Sequence, residues 1–224
     1  MDFIFMLTRE DRTVGDCLAA LEAAAPLGLR HVGFKDVGVD PGTQRRLVRR
    51  IRELGATSYL EVVSLGAEAA RAAARAALEL GVDTLLGGTD AEAALEVLSG
   101  SGVAYLPFPG RPEGHPTRLG GTPEQVTRQC RELVARGCAG ADLLAYRAFE
   151  AEPLELVRAA RAGLGAARLV VAGSIERAEQ VQALAAAGVD AFTVGSAIFE
   201  GRWAPGEPGL QAQLRAVLAA CRPQ

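Results

Sequence analysis

The sequence predicts an α/β fold, a single-domain (β/α)8 TIM barrel over residues 1–224, and three observations carry that prediction. Short apolar runs alternate along the chain with stretches of helical spacing. The runs are continuously apolar instead of alternating, the pattern of parallel strands buried on both faces. Eight such strand–helix units fit into 224 residues, which a compact closed barrel accommodates better than an open sheet.

The elements follow in order. Residues 3–7 (Phe-Ile-Phe-Met-Leu) form the first run, and the polar residues 8–12 read as a loop. Residues 13–27 place Val14, Leu18, Leu21 and Ala25 on one helical face, ending near Pro26 and Gly28. Strand 31–34 delivers Lys35 and Asp36 at its carboxyl end, and helix 43–54 stops at Gly55. Strand 58–63 precedes helix 68–80, which Gly81 ends. Strand 83–86 closes in Gly87-Gly88, and Thr89-Asp90-Ala91-Glu92 reads as a capping box opening a helix that runs to about Leu98.

Strand 103–106 leads into a long Pro/Gly loop, residues 107–121. Thr122-Pro123-Glu124-Gln125 then has Thr as N-cap, Pro at the first helical position and Gln two residues later. Strand 141–145 is followed by a helix within 153–163. The last two strands, from Arg168 and from Asp190, each stop in a Gly-Ser pair that opens a helix: a long one after Ser174 and a one-turn helix after Ser196. Residues 201–209 are a loop, and 210–221 a final amphipathic helix.

Composition narrows the function. The formal net charge is −3, aromatics make up 5%, and no basic tract exists, which argues against nucleic acid or an anionic membrane as partner. No stretch approaches the length of a membrane span, and the N-terminus lacks the basic flank of a signal peptide, so the expected location is cytoplasmic. Cys17, Cys130, Cys138 and Cys221 are scattered without C-x-x-C spacing, consistent with reduced thiols and no metal framework.

One count is sharper. Of the 24 basic residues only Lys35 is a lysine. A lysine amine can give up its proton or attack a carbonyl, and an arginine cannot. The position that kept lysine is therefore a candidate for chemistry, with a plain salt-bridge lysine as the competing reading.

Gly173-Ser174 and Gly195-Ser196 supply a second signal. Two adjacent strand ends of this kind set bare backbone N–H groups and two hydroxyls side by side. Unpaired donors of that kind favour an anion, and glycine lets phosphate oxygens reach the backbone. The pairs read together as a phosphate cradle, against the alternative of two ordinary serine caps.

With Val-Val-Ala-Gly173-Ser174-Ile and Phe-Thr-Val-Gly195-Ser196-Ala-Ile-Phe in view, the chain resembles the ribulose-phosphate-binding barrels. That superfamily includes the histidine- and tryptophan-biosynthesis barrels, ribulose-phosphate epimerase, and the orotidine and keto-gulonate phosphate decarboxylases. The resemblance covers the whole chain in size and strand rhythm, and its last quarter in motif. It implies a substrate held by its phosphate near Gly173, Ser174, Gly195 and Ser196, with a homodimer as a family-level expectation. The decarboxylases of the superfamily carry Asp-x-Lys-x-x-Asp. Here Lys35 is present and the preceding Asp is not. The epimerases need paired His and Asp ligands, and only His31 and His115 exist, His31 at the start of its strand. The resemblance thus carries phosphate binding and no named reaction.

Catalytic groups in such a barrel belong at the carboxyl ends of strands and in the loops that follow. That rule selects Arg9 and Asp11, Lys35 and Asp36, Glu61, Asp90, then Arg111, His115 and Arg118, and finally Asp142, Tyr146 and Arg147. Glu61 and Asp142 are carboxylates inside apolar strands and should be paired with a cation, for which Lys35 suits either. Asp36 is the acid next to Lys35 in the chain. Loop 107–121 reads as a substrate lid, with His115 as proton carrier and Arg111 or Arg118 meeting a carboxylate or phosphate. Arg9 and Arg147 join them as substrate-binding candidates.

The expected function is an enzyme acting on a small phosphorylated sugar or keto-acid, with Lys35 serving carbonyl or enediolate chemistry of the aldolase or decarboxylase type. The alternative is a sugar-phosphate isomerase or epimerase, with a divalent metal held by Asp36, Glu61, His115 or Asp142. A third reading is a phosphometabolite-binding module without chemistry.

Overall fold

The computed structural model describes residues 1–63 and 65–222. Eight strands form the barrel: β1 Asp2–Met6, β2 His31–Lys35, β3 Thr57–Val62, β4 Thr84–Gly87, β5 Ala104–Leu106, β6 Gly140–Leu143, β7 Arg168–Val171 and β8 Ala191–Val194. They pair in parallel in the order β6-β7-β8-β1-β2-β3-β4-β5. The ring closes between β5 and β6, where Ala139 N–H donates to Tyr105 O and Asp142 N–H to Pro107 O, both at 3.0 Å.

Strand periodicity decides what faces the interior. Phe3, Phe5, Val32, Phe34, Leu60, Val62, Ala141, Leu143, Phe192 and Val194 belong to the outer core packed under the helices. Ile4, Met6, Tyr59, Leu86, Leu106, Val170 and Ala191 form a separate cluster within the ring. By the same alternation Lys35, Glu61, Asp142 and Thr193 point inward, above that apolar plug. Asp36, one residue past Lys35, is on the opposite parity.

The main helices are α1 Cys17–Ala24, α2 Pro41–Glu53, α3 Ala67–Leu80, α4 Ala91–Leu98, α5 Pro123–Ala135, α6 Pro153–Leu164 and α7 Ala178–Ala186, followed by the single turn α8 Ser196–Phe199 and by α9 Leu210–Ala220. None of them is long and apolar enough to cross a membrane. The predicted cap at Thr122 is present as a full capping box with Gln125. Thr122→Ala should therefore cost about 1 kcal/mol and lower the melting temperature by roughly 2–4 °C in a thermal melt.

Four local expectations are corrected. Residues 13–16 are not helical. Thr8–Arg9 pairs antiparallel with Arg12–Thr13, because Thr13 is fastened to β2. Its hydroxyl donates to Lys35 O and accepts from Lys35 N–H, each at 2.8 Å. The cap of α4 is Asp90, which accepts from Ala93 N–H at 3.0 Å, and not Thr89. Loop 107–121 contains a hairpin, Arg111–Glu113 with Arg118–Gly120, latched to the loop after β6. There Glu150 takes Gly121 N–H at 2.6 Å and Arg111 at 2.5 Å, while the Arg118 guanidinium lies 4.3 Å from the Phe149 ring centre.

The fourth correction touches the cradle. Ser174 does not open a helix. It holds φ +56°, and α7 begins only at Ala178. Ser196 does begin a one-turn helix, as expected. All four cysteines are free thiols, and burial pushes Cys130 up to about 12 and Cys138 to about 11, so neither is poised as a thiolate.

Candidate active site

A cavity of about 570 Å³ opens at the carboxyl ends of the strands. The hairpin after β1, the strand ends β2 and β3, the loop before α5, and the loops after β6, β7 and β8 wall it. Lys35 stands on its floor, only 4% exposed. It lies opposite Glu61 in the β2–β3 register. Lys35 Nζ is 2.9 Å from Glu61 Oε1 and 3.0 Å from Asp11 Oδ1. Burial works to lower the Lys35 pKa, but the charges of Glu61 and Asp11 outweigh it and the net shift is upward. Lys35 is an ammonium at neutral pH.

Asp11 is the hub of the site. It sits at the tip of the first hairpin, where Glu10 and Asp11 hold φ +51° and +56°, a conformation costly for residues with side chains. The Arg147 fork overdetermines it, with Nη1 at 2.8 Å from Oδ2 and Nη2 at 3.0 Å from Oδ1. Burial alone would raise the Asp11 pKa, but the Arg147 bonds and the Lys35 charge hold the carboxyl well below the usual range.

Asp142 is fully buried, and neither carboxyl oxygen has a hydrogen-bond partner among the described residues. Burial first, and the Glu61 charge second, raise its pKa well above the ordinary value, against the opposing pull of Lys35 and Arg147. Of the two inward carboxyls, then, Glu61 pairs with Lys35, and Asp142 is the one whose surroundings favour the protonated form.

The Gly-Ser ends of β7 and β8 line the same cavity. Among the described residues, the N–H groups of Gly173, Ser174, Gly195 and Ser196 donate to no acceptor in the chain. Glu10 N–H donates to Ser196 Oγ at 3.2 Å, tying the first hairpin to this wall. Each glycine also has a packing reason. A Cβ on Gly195 would meet Thr8 Oγ1 at 2.5 Å, and one on Gly173, at φ +80°, would meet Arg147 Nε at 2.7 Å. Above this wall Arg202 bridges Glu176 at 2.5 Å and Glu200 at 2.8 Å, joining the loops after β7 and β8.

The structure brings together Lys35, Glu61, Arg118, Arg147 and the four Gly-Ser residues as cavity lining, with Asp142 buried behind them. Other candidates are corrected. Asp36 is off the cavity because adjacent strand residues face opposite ways. Its Oδ1 is buried without a partner, and burial raises its pKa. His115 is exposed at the hairpin turn and is not part of the wall, although Pro116 and Thr117 are. Arg9 points to solvent, and Arg111 is taken up by Glu150. Among the described residues no three His, Cys, Asp or Glu are grouped to hold a metal, so Asp36, Glu61, His115 and Asp142 do not form the ligand set of the alternative reading. Sequence reasoning missed the Glu176–Arg202–Glu200 bridge altogether, and nothing in its local sequence marks it.

No family model matches the sequence, and no curated protein matches it. Solved structures do. Orotidine 5'-phosphate decarboxylase from Pyrococcus horikoshii OT3 superposes with a TM-score of 0.70 at 13% identity, covering 99% of this chain and 100% of that one. N-(5'-phosphoribosyl)anthranilate isomerase from Pyrococcus furiosus gives 0.64 at 14% identity over 98% and 99%. Thiamine phosphate pyrophosphorylase from Pyrococcus furiosus gives 0.60 at 14% identity over 97% and 95%. The chain therefore shares the (β/α)8 barrel fold of these enzymes. At these identities the likeness is one of fold alone.

Proposed function

We propose that the protein is an enzyme that draws a small phosphorylated sugar or keto-acid into the barrel mouth and stabilises an enediolate beside Lys35. The observation that carries this reading is the Lys35 ammonium on the cavity floor, 2.9 Å from Glu61, within the ring that also presents four bare N–H groups. The phosphate would rest on the backbone of Gly173, Ser174, Gly195 and Ser196, with the two serine hydroxyls as further donors. The carbonyl would then reach toward Lys35 Nζ.

When a C–C or C–H bond next to that carbonyl breaks, its electron pair moves onto the carbonyl oxygen, which becomes an oxyanion facing the ammonium. A donor fixed in a dry site contributes about 10²–10³ in rate. In the C–H case Glu61 accepts the proton and returns it, worth about 10²–10⁴. In the C–C case the carbanion carbon is quenched by a proton from the same cluster, where the neutral Asp142 carboxyl is a reserve. A protonated Lys35 favours this role over a Schiff base, which needs the free amine. An acid pushed toward its protonated form near the Lys35-paired Glu61 also suits an isomerase, since proton transfer between carbons uses two such carboxyls.

The test is a panel of sugar phosphates and phosphorylated keto-acids incubated with the protein in D2O and followed by proton NMR. Deuterium at the carbon next to the carbonyl, with no mass adduct after borohydride, is the expected outcome. A borohydride adduct would instead select the Schiff base, and loss of exchange with a chelator the metal-assisted isomerase. Saturable binding with no exchange across the panel would leave only a phosphometabolite-binding module.

The cradle has its own test. Ser196→Asp sets a carboxylate where the phosphate belongs and should weaken inorganic phosphate binding by about 100-fold in calorimetry, since like charges in a shielded site cost several kcal/mol. Unchanged affinity would remove the cradle from the account.

A further inference from the structure

Arg147 is doubly placed. Its two Nη groups bind Asp11, and Nη1 also reaches Thr117 O at 3.3 Å. Its Nε–H edge lies against Gly173 and has no acceptor among the described residues. That edge adjoins the unpaired N–H groups of the strand end. On the far side, Asp11 Oδ1 is the same oxygen that receives Lys35 Nζ at 3.0 Å and Arg147 Nη2 at 3.0 Å.

We propose that Arg147 belongs to the anion site and that Asp11, sharing one oxygen between Arg147 and Lys35, couples occupancy of that site to the catalytic amine. This rests on the phosphate reading of the cradle. The physical argument concerns a carboxylate with two cationic partners. An anion on the Nε edge competes with Asp11 for the guanidinium charge. Asp11 is then less compensated from that side and holds the Lys35 ammonium more firmly. By linkage, any change at Lys35 that the anion produces is matched by a change in anion affinity. Asp11 acts as a positioning residue, 136 residues from Arg147 in sequence and touching both. Its left-handed backbone aims it at the pair. A substrate lacking the anion would meet a looser amine, so the site selects phosphorylated substrates at the reacting centre as well as in binding.

The chain offers a direct probe, because protein labelled with [15N]lysine carries one side-chain ammonium signal, that of Lys35. Inorganic phosphate is titrated while that signal is followed. The wild type should bind phosphate saturably, and the Lys35 signal should move with the same midpoint. Arg147→Gln should lose about ten-fold in phosphate affinity, the worth of a charge-assisted hydrogen bond. Arg147→Lys, which keeps the charge but not the Nε edge, should lose several-fold. Asp11→Asn should bind phosphate at least as tightly as wild type, while its Lys35 signal moves by less than a third as much. If Asp11→Asn does not fold by circular dichroism, the two Arg147 variants decide.

Phosphate that binds Arg147→Gln as it binds wild type would overturn the proposal, as would a full Lys35 response in Asp11→Asn. Loss of affinity in Ser196→Asp together with indifference to Arg147 overturns only the role of Arg147. Absence of phosphate binding to the wild type overturns the cradle as well.

Discussion

Lys35→Arg should lower deuterium exchange into substrate by about a thousand-fold or more while inorganic phosphate still binds within about three-fold of wild type. The substitution keeps a positive charge between Asp11 and Glu61, so the cluster stays neutralised, and it leaves the Gly-Ser wall untouched. What it removes is a compact ammonium that can present a proton to an oxyanion. A guanidinium is planar, bulkier and holds its proton at any working pH. Loss of one preorganised donor accounts for about 10²–10³. Glu61, the proton carrier 2.9 Å from Nζ, is also displaced by the larger group, which adds to the loss. Exchange that survives the substitution would remove Lys35 from the chemistry. Phosphate binding that vanishes with it would mean the variant had disturbed the whole mouth.

Asp142→Asn should make the protein more stable, by an amount that grows with pH, and less active. The sign follows from where the proton sits. In the folded protein burial and the neighbouring Glu61 keep the Asp142 carboxyl protonated well above its ordinary pKa. In the unfolded chain that carboxyl ionises above about pH 3.9. The unfolded state therefore binds fewer protons as pH rises past that value, and the folded state loses ground until the pH passes its own raised pKa. Asparagine carries no such penalty. Urea unfolding at pH 4.5 and pH 7.5 should show the variant's advantage widening between the two, and a constant gap would contradict a neutral Asp142. Asp11 runs the other way. Its depressed pKa stabilises the fold above the unfolded value near 3.9, and that contribution is lost as pH falls toward the folded one.

A buried acid that costs stability at neutral pH and makes no hydrogen bond to the chain is more readily explained by proton chemistry than by packing. The same applies to the hairpin tip at Glu10 and Asp11, where strain coincides with the site.

Much of this was legible in the sequence. Continuous apolar runs gave the eight strands, because strands buried on both faces need them. The isolated lysine pointed to the cavity floor, and Thr122-Pro123 marked a helix start that the structure reproduces. Asp36 could have been excluded by parity, since a residue next to an inward Lys35 in a strand must face out. The rest lies beyond local pattern. The pairing of Asp11 with Arg147 joins the loops after β1 and β6, 136 residues apart in the chain. Thr13 looked helical because its hydroxyl contact with β2 is invisible in a periodicity. The reach of His115 depended on how loop 107–121 folded, and the hairpin it forms turns that side chain to solvent. Ser174 adopts a left-handed conformation that nothing in Gly-Ser-Ile announces.

The central claim is that the ends of β7 and β8 hold a dianion across the mouth from the single amine. A crystal structure grown in inorganic phosphate tests it most directly. The expected result is tetrahedral density within hydrogen-bond distance of the Gly173, Ser174, Gly195 and Ser196 backbones, with Arg147 alongside and Lys35 still between Asp11 and Glu61. Phosphate lodged instead among Arg30, His31 and Arg168 at the opposite rim, with the Gly-Ser ends unoccupied, would contradict it.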